Sequence, residues 1–372
     1  MLAPWASPMT PVRRSRRTQH ADRRKRNNHF RFEACCGVTN AAGPRRTGRP
    51  LKIFTNASPS PTVMVMLPVV DTDEQWDTVI PDDEALRPGV EDLCARLGFA
   101  DVRPVRYPDG SEPVYALGDR HVLKLFPRMW VEDALTEHRV LEYLQGRLPI
   151  PVPELLEFGE YENGWRYVLM SQLPGEGLAK AWPRIPEGDR DRIATEVGEA
   201  LAVLHSLDPA PLTDVLGPEN WDTALAERRA RAVGRQRERN LPEQWLEQIP
   251  DFLDSVPLAT DRPHSLLHTE VMRQHLIVDP DDWRLTGLID FEPAMIGDRA
   301  YDFVGVGLYV SCGDPRLLGR VMKAYGHAFD PRELLSHTLL HVYSNLPRYF
   351  EDLPAPPRPT LDSLAEAWFG TE

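Results

Sequence analysis

The residues with the most chemical content lie between His268 and Asp290, in the stretch HTEVMRQHLIVDPDDWRLTGLID. Glu270 sits two positions after His268, His275 follows five later, and Asp290 closes the apolar run Leu285 to Ile289. An acid in a loop can orient or deprotonate an attacking hydroxyl. An acid at the end of a buried strand can hold a divalent cation against phosphate oxygens. Upstream, Lys124 stands inside HVLKLF, and Glu137 follows thirteen residues later on a helical pattern. A strand Lys held by a helix Glu is the arrangement that positions nucleotide phosphates. Together these types and spacings describe phosphoryl transfer.

Those side chains need elements to position them. Strand signals run over Val102–Tyr107, Val114–Leu117 and His121–Phe126, separated by Pro108-Asp109-Gly110 and Gly118-Asp119 turns. The hairpin turn with Gly110 and Ser111 precedes Lys124, and its amides could cover phosphates. A plain turn explains it as well. An amphipathic helix is expected at Glu84–Gly98 and another at Val131–Gln145, the latter carrying Glu137. Two more strands, Val152–Gly159 and Trp165–Met170, lead to Leu173-Pro174-Gly175. The second half reads as helices at Arg190–Leu207, Trp221–Arg239, Glu243–Phe252, Asp314–Gly326, Pro331–Tyr343 and Thr360–Trp368. Short strands at His275–Val278 and Leu285–Ile289 interrupt them. Order is expected from about Pro81 onward.

From about residue 82 to 370 this layout resembles the aminoglycoside phosphotransferase family, with four motifs in the same order. Its motif order is most similar to the hygromycin B phosphotransferases of that family. The family's catalytic loop reads His-Gly-Asp, four residues, Asn. Here it is His268-Thr269-Glu270, four residues, His275. Asp290-Phe291-Glu292 matches the family's metal-binding element, and YVLMSQLPG matches its hinge. The resemblance implies an α+β, bilobal, protein-kinase-like fold. Residues 82–172 would form a small β-rich N-lobe that binds nucleotide, and 173–372 a larger helical C-lobe with the acceptor site. It implies ATP and Mg²⁺ as cofactors. Lys124 and Glu137 would position the phosphates, and Gly110 and Ser111 would cover them. Met170, Ser171 and Leu173 would hold adenine.

Two positions depart from the family. Glu270 keeps the carboxylate but is one methylene longer than Asp, and a 1 Å misplacement can cost about 100-fold in rate. His275 replaces an oxygen ligand with imidazole, which suits Zn, Ni or Fe better than Mg²⁺. Either one Mg²⁺ is kept through Asp290, with His275 beside it in the metal site bonding a phosphate oxygen or a water, or His275 is a core His pinning the loop. The readings therefore remain a kinase for an aminoglycoside-like hydroxyl, a kinase for choline, homoserine or macrolides, and a pseudokinase that binds without turnover. Arg273 is either a γ-phosphate contact or a surface Arg. Asp298 and Asp302 are expected to brace the loop. Glu351, Asp352, Trp221, Trp245 and Tyr349 are weak acceptor-site candidates, since exposed acids are usually solvated and Trp is usually core.

Composition narrows the partners. Net charge is −13, but residues 1–52 hold 13 Lys+Arg against 2 Asp+Glu, so the remainder carries −24. An acidic body repels nucleic acid and suits a cationic small molecule. Residues 1–63 read as a disordered basic tail, or as leader from a misplaced start with Met64 or Met66 as the true beginning. Cys35, Cys36, Cys94 and Cys312 make no paired framework, which points to a reducing, cytoplasmic compartment. No apolar run approaches the 18 or more residues a membrane span needs, and the stretch before Thr62–Val70 lacks a signal-peptide layout.

Overall fold

The computed structural model describes residues 67–108, 110–258 and 262–372. The expectations for the basic tail and its start site lie outside these residues. Two short helices open the described chain, α1 (Asp73–Val79) and α2 (Asp83–Arg96). Leu67, Val70 and Ile80 are already buried here against Val90, Leu93 and Leu123. Packing thus begins before Pro81, because Leu67 and Val70 supply apolar surface that a purely periodic reading of the helix overlooks.

Five strands follow: β1 (Pro104–Arg106), β2 (Val114–Leu117), β3 (His121–Phe126), β4 (Leu155–Glu160) and β5 (Arg166–Ser171), in the order β1-β2-β3-β5-β4. Every neighbouring pair is antiparallel. The run HVLKLF is the central strand, with Lys124 opposite Val114 on one side and Val168 on the other. Helix α3 (Val131–Leu144) crosses between β3 and β4 and buries Val140, Leu141 and Leu144. Its inner face joins Phe126, Val168 and Met170 in the same apolar cluster as the helical half. The small lobe's inner side is therefore continuous with the large core.

The helical half is built on α4 (Glu187–Ser206), α5 (Trp221–Glu238), α6 (Pro315–Tyr325), α7 (Pro331–Leu340), α8 (Leu346–Asp352) and α9 (Leu361–Phe369). Local signals set the ends of α6 well. Asp314 accepts from the Arg316 and Leu317 amides, Pro315 opens the helix, and Gly326 closes it at φ +83°. Helix α6 lies against α4 at Gly198, where a Cβ would come 2.3 Å from the Val321 carbonyl oxygen.

The expected helix over 243–252 is two, Glu243–Leu246 and Ile249–Ser255, with Pro250 in the first turn of the second. Between them and α6 lie β7 (Ser265–Leu267), β8 (Leu276–Val278), β9 (Leu285–Leu288) and β10 (Met295–Gly297). Strand β10 pairs antiparallel with β7, and β8 pairs with β9 on one side and with the two-residue β6 (Glu176–Gly177) on the other. The β7–β10 ladder escaped the pattern reading because each strand has only three residues. This bilobal α+β arrangement has the kinase-like form expected from the motifs. Among the described residues, no helix is long and apolar enough to cross a membrane.

Candidate active site

The short ladders aim two loop ends at one point. The first leaves β7 at His268. Asp302, fully buried, accepts from the amides of His268 (2.9 Å, at Oδ2) and Thr269 (2.6 Å, at Oδ1), and His205 Nε2 lies 3.0 Å from Oδ2. Burial alone would raise the Asp302 pKa, but His205, His268 and the amide bonds together hold it below the usual value. His268 Nε2 donates to the Ile289 carbonyl at 2.9 Å, which fastens this loop to the end of β9. Burial pushes the His268 pKa down to about 4, so the ring is neutral at working pH.

Thr269 has φ +69°, in the left-handed region, and is 1 % exposed. A β-branched residue there is a genuine outlier, at the position where the pattern reading compared it with a Gly. Its hydroxyl donates to the Pro293 carbonyl at 2.8 Å, which helps to hold the strained turn.

The second loop end carries Asp290, itself at φ +73°. Lys124 Nζ contacts Asp290 Oδ1 and also lies 2.9 Å from Glu137 Oε2. Lys124 and Glu137 are buried at 5 % and 1 % exposure, whereas the Asp290 side chain keeps 26 %. Burial would raise the Asp290 pKa. Lys124 first, then His275, more than offset it and hold the carboxyl well below the ordinary range. The same pairing outweighs burial at Lys124 and raises its pKa.

His275 faces both loop ends. Its Nδ1 is 2.9 Å from the Glu270 carbonyl oxygen, and its Nε2 is 3.1 Å from Asp290 Oδ2. A carbonyl only accepts, so Nδ1 carries the hydrogen. Nε2 then meets a carboxylate. Glu270, His275 and Asp290 each offer a ligand atom within 4.8 Å of the others. The Glu270 carbonyl contact pins the ring, and its other nitrogen faces Asp290.

A lysine held by a helix glutamate, a partly open aspartate and a loop carboxylate beside them form a phosphoryl-transfer constellation. The profile described as "Phosphotransferase enzyme family" matches residues 104–336.

The chain belongs to this phosphotransferase family. It is a phosphotransferase with an alcohol group as acceptor. An aminoglycoside 3'-phosphotransferase from Streptomyces fradiae is 28% identical over 214 residues, covering 55% of this chain and 76% of that protein. Among solved structures, the GDP complex of wild-type aminoglycoside 2'-phosphotransferase-IIIa has a TM-score of 0.57 at 19% identity, covering 67% of this chain and 87% of that one. The streptomycin–ATP ternary complex of APH(2")-IIa has a TM-score of 0.52 at 16% identity, covering 81% and 99%.

Seen as a family phosphotransferase, the other expected residues fall into three groups. Gly110 (φ +111°) and Ser111 lie in the β1–β2 turn, where the Ser111 hydroxyl donates to Glu112 at 2.6 Å. Asp109 lies outside the described residues. Met170 is buried on β5, and Leu173 packs over β9 at Gly287. Ser171, by contrast, is engaged at the end of the inner strand β5: its amide donates to the Glu154 carbonyl at 2.8 Å, and the Gln172 amide donates to the Arg120 carbonyl at 2.8 Å. Of the three hinge residues named from the motif, Ser171 is turned toward β4 because β3–β5 pairing runs through His121 and Ser171.

Arg273 fits neither of its readings. It is 3 % exposed, donates to the Val310 carbonyl and lies 3.5 Å from the Trp182 ring. The three-residue turn Arg273–His275 points it into the large lobe and away from the cleft. Trp221, Trp245 and Tyr349 are core residues, while Glu351 and Asp352 pair with Arg348. Three further residues, Glu112, Glu292 and His205, were given no role from the sequence. Glu112 and Glu292 are both buried and add negative charge around Lys124. His205, 97 residues from Asp302, braces the loop without any local sign in the sequence.

Proposed function

We propose that this chain transfers the γ-phosphate of ATP to a hydroxyl of an aminoglycoside or a similarly cationic small molecule. The observation that carries the reading is the contact of Lys124 with both Glu137 and Asp290, beside the loop that presents Glu270. Lys124, held by Glu137, draws the nucleotide phosphates into place. Glu270 orients the acceptor hydroxyl and takes its proton. Gly110 and Ser111 cover the phosphates. Met170 and the backbone at Leu173 border the adenine, since the Ser171 and Gln172 amides are already engaged. Positioning and charge neutralisation supply most of the rate in such reactions. The acidic body, at −24 beyond residue 52, draws cationic acceptors toward the cleft.

Asp290, His275 and Glu270 are the residues that would hold a divalent cation, which would neutralise phosphate charge. Two carboxylates fit Mg²⁺, but imidazole shifts the set toward transition ions such as Mn²⁺ or Co²⁺. The chain would work in a reducing, cytoplasmic setting without a nucleic-acid partner.

ADP release is to be followed with ATP and Mg²⁺ or Mn²⁺ against kanamycin, gentamicin, streptomycin and hygromycin B, then choline, homoserine and a macrolide. Acceptor-dependent release with one of the four aminoglycosides, lost in Glu270→Ala, is the expected result. Release with only a later acceptor would move the substrate class. Nucleotide binding with no release against any of them would leave a binding module and defeat the proposal.

A further inference from the structure

The helical lobe holds a second set of ligand-type side chains that phosphoryl transfer does not use. Asp298, Glu333 and His337 are all buried, and each offers one ligand atom within 4.8 Å of the others. Asp298 follows β10 directly. Glu333 and His337 are four residues apart on α7, so they project from the same face. The two carboxylates share the Arg262 guanidinium, whose NH1 lies 3.2 Å from Asp298 Oδ1 and 2.7 Å from Glu333 Oε1.

His337 supplies the second, independent sign. It is 0 % exposed, and neither ring nitrogen has a hydrogen-bond partner. Buried polar atoms are almost always satisfied, so an orphaned imidazole aimed at two carboxylates calls for a missing partner. Burial pushes its pKa down to about 4, which leaves the ring neutral and able to donate a lone pair. One imidazole nitrogen with two carboxylate oxygens is a donor set for zinc-class ions, with a fourth position left to water. Mg²⁺ and Ca²⁺ prefer oxygen alone.

We propose that Asp298, Glu333 and His337 form a binding site for a zinc-class divalent ion, with Arg262 filling the site when no ion is bound. The Arg262 side chain keeps 21% exposure, so its guanidinium can leave toward solvent as the ion enters. Two carboxylates then balance a divalent charge. The ion would also tie α7 to the catalytic loop. Asp298 caps the turn Arg299–Tyr301 through the Ala300 amide at 2.9 Å, and that turn leads directly into Asp302. No part of this set belongs to the cleft group of Glu270, His275 and Asp290.

The test uses the full chain after chelator treatment, in an Asp290→Asn background so that the cleft set does not add to the count. Zn²⁺ is titrated by calorimetry and Co²⁺ by visible absorption. One equivalent of Zn²⁺ and a tetrahedral Co²⁺ spectrum are expected. Losing even an outer partner of a ligand costs about 10–100-fold in affinity. His337→Leu should therefore weaken binding by at least about 100-fold, and Glu333→Gln serves if that variant does not fold. Arg262→Ala should tighten binding by at least about tenfold, because a competing unit charge at contact distance is removed. Absence of a stoichiometric ion overturns the site, as does binding indifferent to both His337→Leu and Glu333→Gln. Unchanged affinity in Arg262→Ala overturns the exchange with Arg262.

Discussion

Asp290 and Asp302 are twelve residues apart, carry the same side chain and belong to the same candidate site, yet they are held by different kinds of partner. Asp302 is fully buried and accepts from two backbone amides and His205. Those donors belong to the framework and have nowhere else to go. The Asp290 side chain keeps 26 % exposure, and its partners are the charged tip of Lys124 and the ring of His275. Either can hand its interaction to a phosphate or a cation without the backbone moving. Both carboxyls are held ionised against burial, so charge state does not separate brace from chemistry. The exchangeability of the partners does.

The largest effects should divide these two acids. Asp290→Asn should cost about 10²–10³-fold in kcat, as removing one preorganised charge contact does elsewhere, while leaving Tm within a few degrees. Asp302→Asn should do the reverse. It leaves His205 and two amides around a neutral group, and breaking a buried pair costs about 3–5 kcal/mol, on the order of 10 °C in Tm for a domain of this size. Calorimetry and steady-state kinetics on the two variants read this directly. Equal losses of Tm in both would erase the distinction between brace and reacting group.

The same division governs what could be read from the sequence. Lys124, Glu137 and Asp290 were legible because each follows a local rule: a β-branched strand, a helical period, an acid ending an apolar run. The helix at Pro315–Tyr325 was legible for the same reason, with Asp314 and Gly326 at its ends. The braces were not. His205 lies on α4, and nothing near it marks its partner at Asp302. Arg273 is part of the loop in sequence but is drawn into the large lobe by Val310 and Trp182, a contact that needs the tertiary fold. Thr269 was visible as a letter where a Gly is usual, yet only the structure shows that it adopts the left-handed conformation and spends its hydroxyl on Pro293.

His275 stands between the two regimes, and its metal preference is the next way to press the comparison. Its Nδ1 is fixed to the Glu270 carbonyl, as a brace would be, while Nε2 faces Asp290, as a ligand would. If the ligand role holds, activity with Mn²⁺ or Co²⁺ should exceed that with Mg²⁺, and His275→Asn should lower that ratio by about tenfold. Nitrogen coupling in the electron paramagnetic resonance spectrum of bound Mn²⁺ reads the contact without turnover. A ratio unmoved by His275→Asn, with no nitrogen coupling, would make His275 a brace alone.

The most gradual effect lies in the sealed region and appears as a dependence on pH. Burial pushes the pKa values of His268 and His337 down to about 4 and that of His341 down to about 3. In the unfolded chain each returns to about 6.5. Between those values the unfolded state binds more protons, so stability falls as pH drops. Each ring contributes about 1.4 kcal/mol per pH unit within that interval. Asp302, depressed from its ordinary value, loses its contribution only at lower pH, as the folded-state carboxyl begins to protonate. Thermal unfolding in chelator should therefore be nearly flat above pH 7 and fall steeply from about 6.5 to 4. His337→Leu should remove about a third of that slope, being one of three comparable rings. The cleft behaves differently: Asp290 stays ionised across the whole interval, held down by Lys124 and His275. An acid loss of activity that follows the unfolding curve then belongs to the brace. A loss well above it, with the fold intact, would place the titrating group in the cleft.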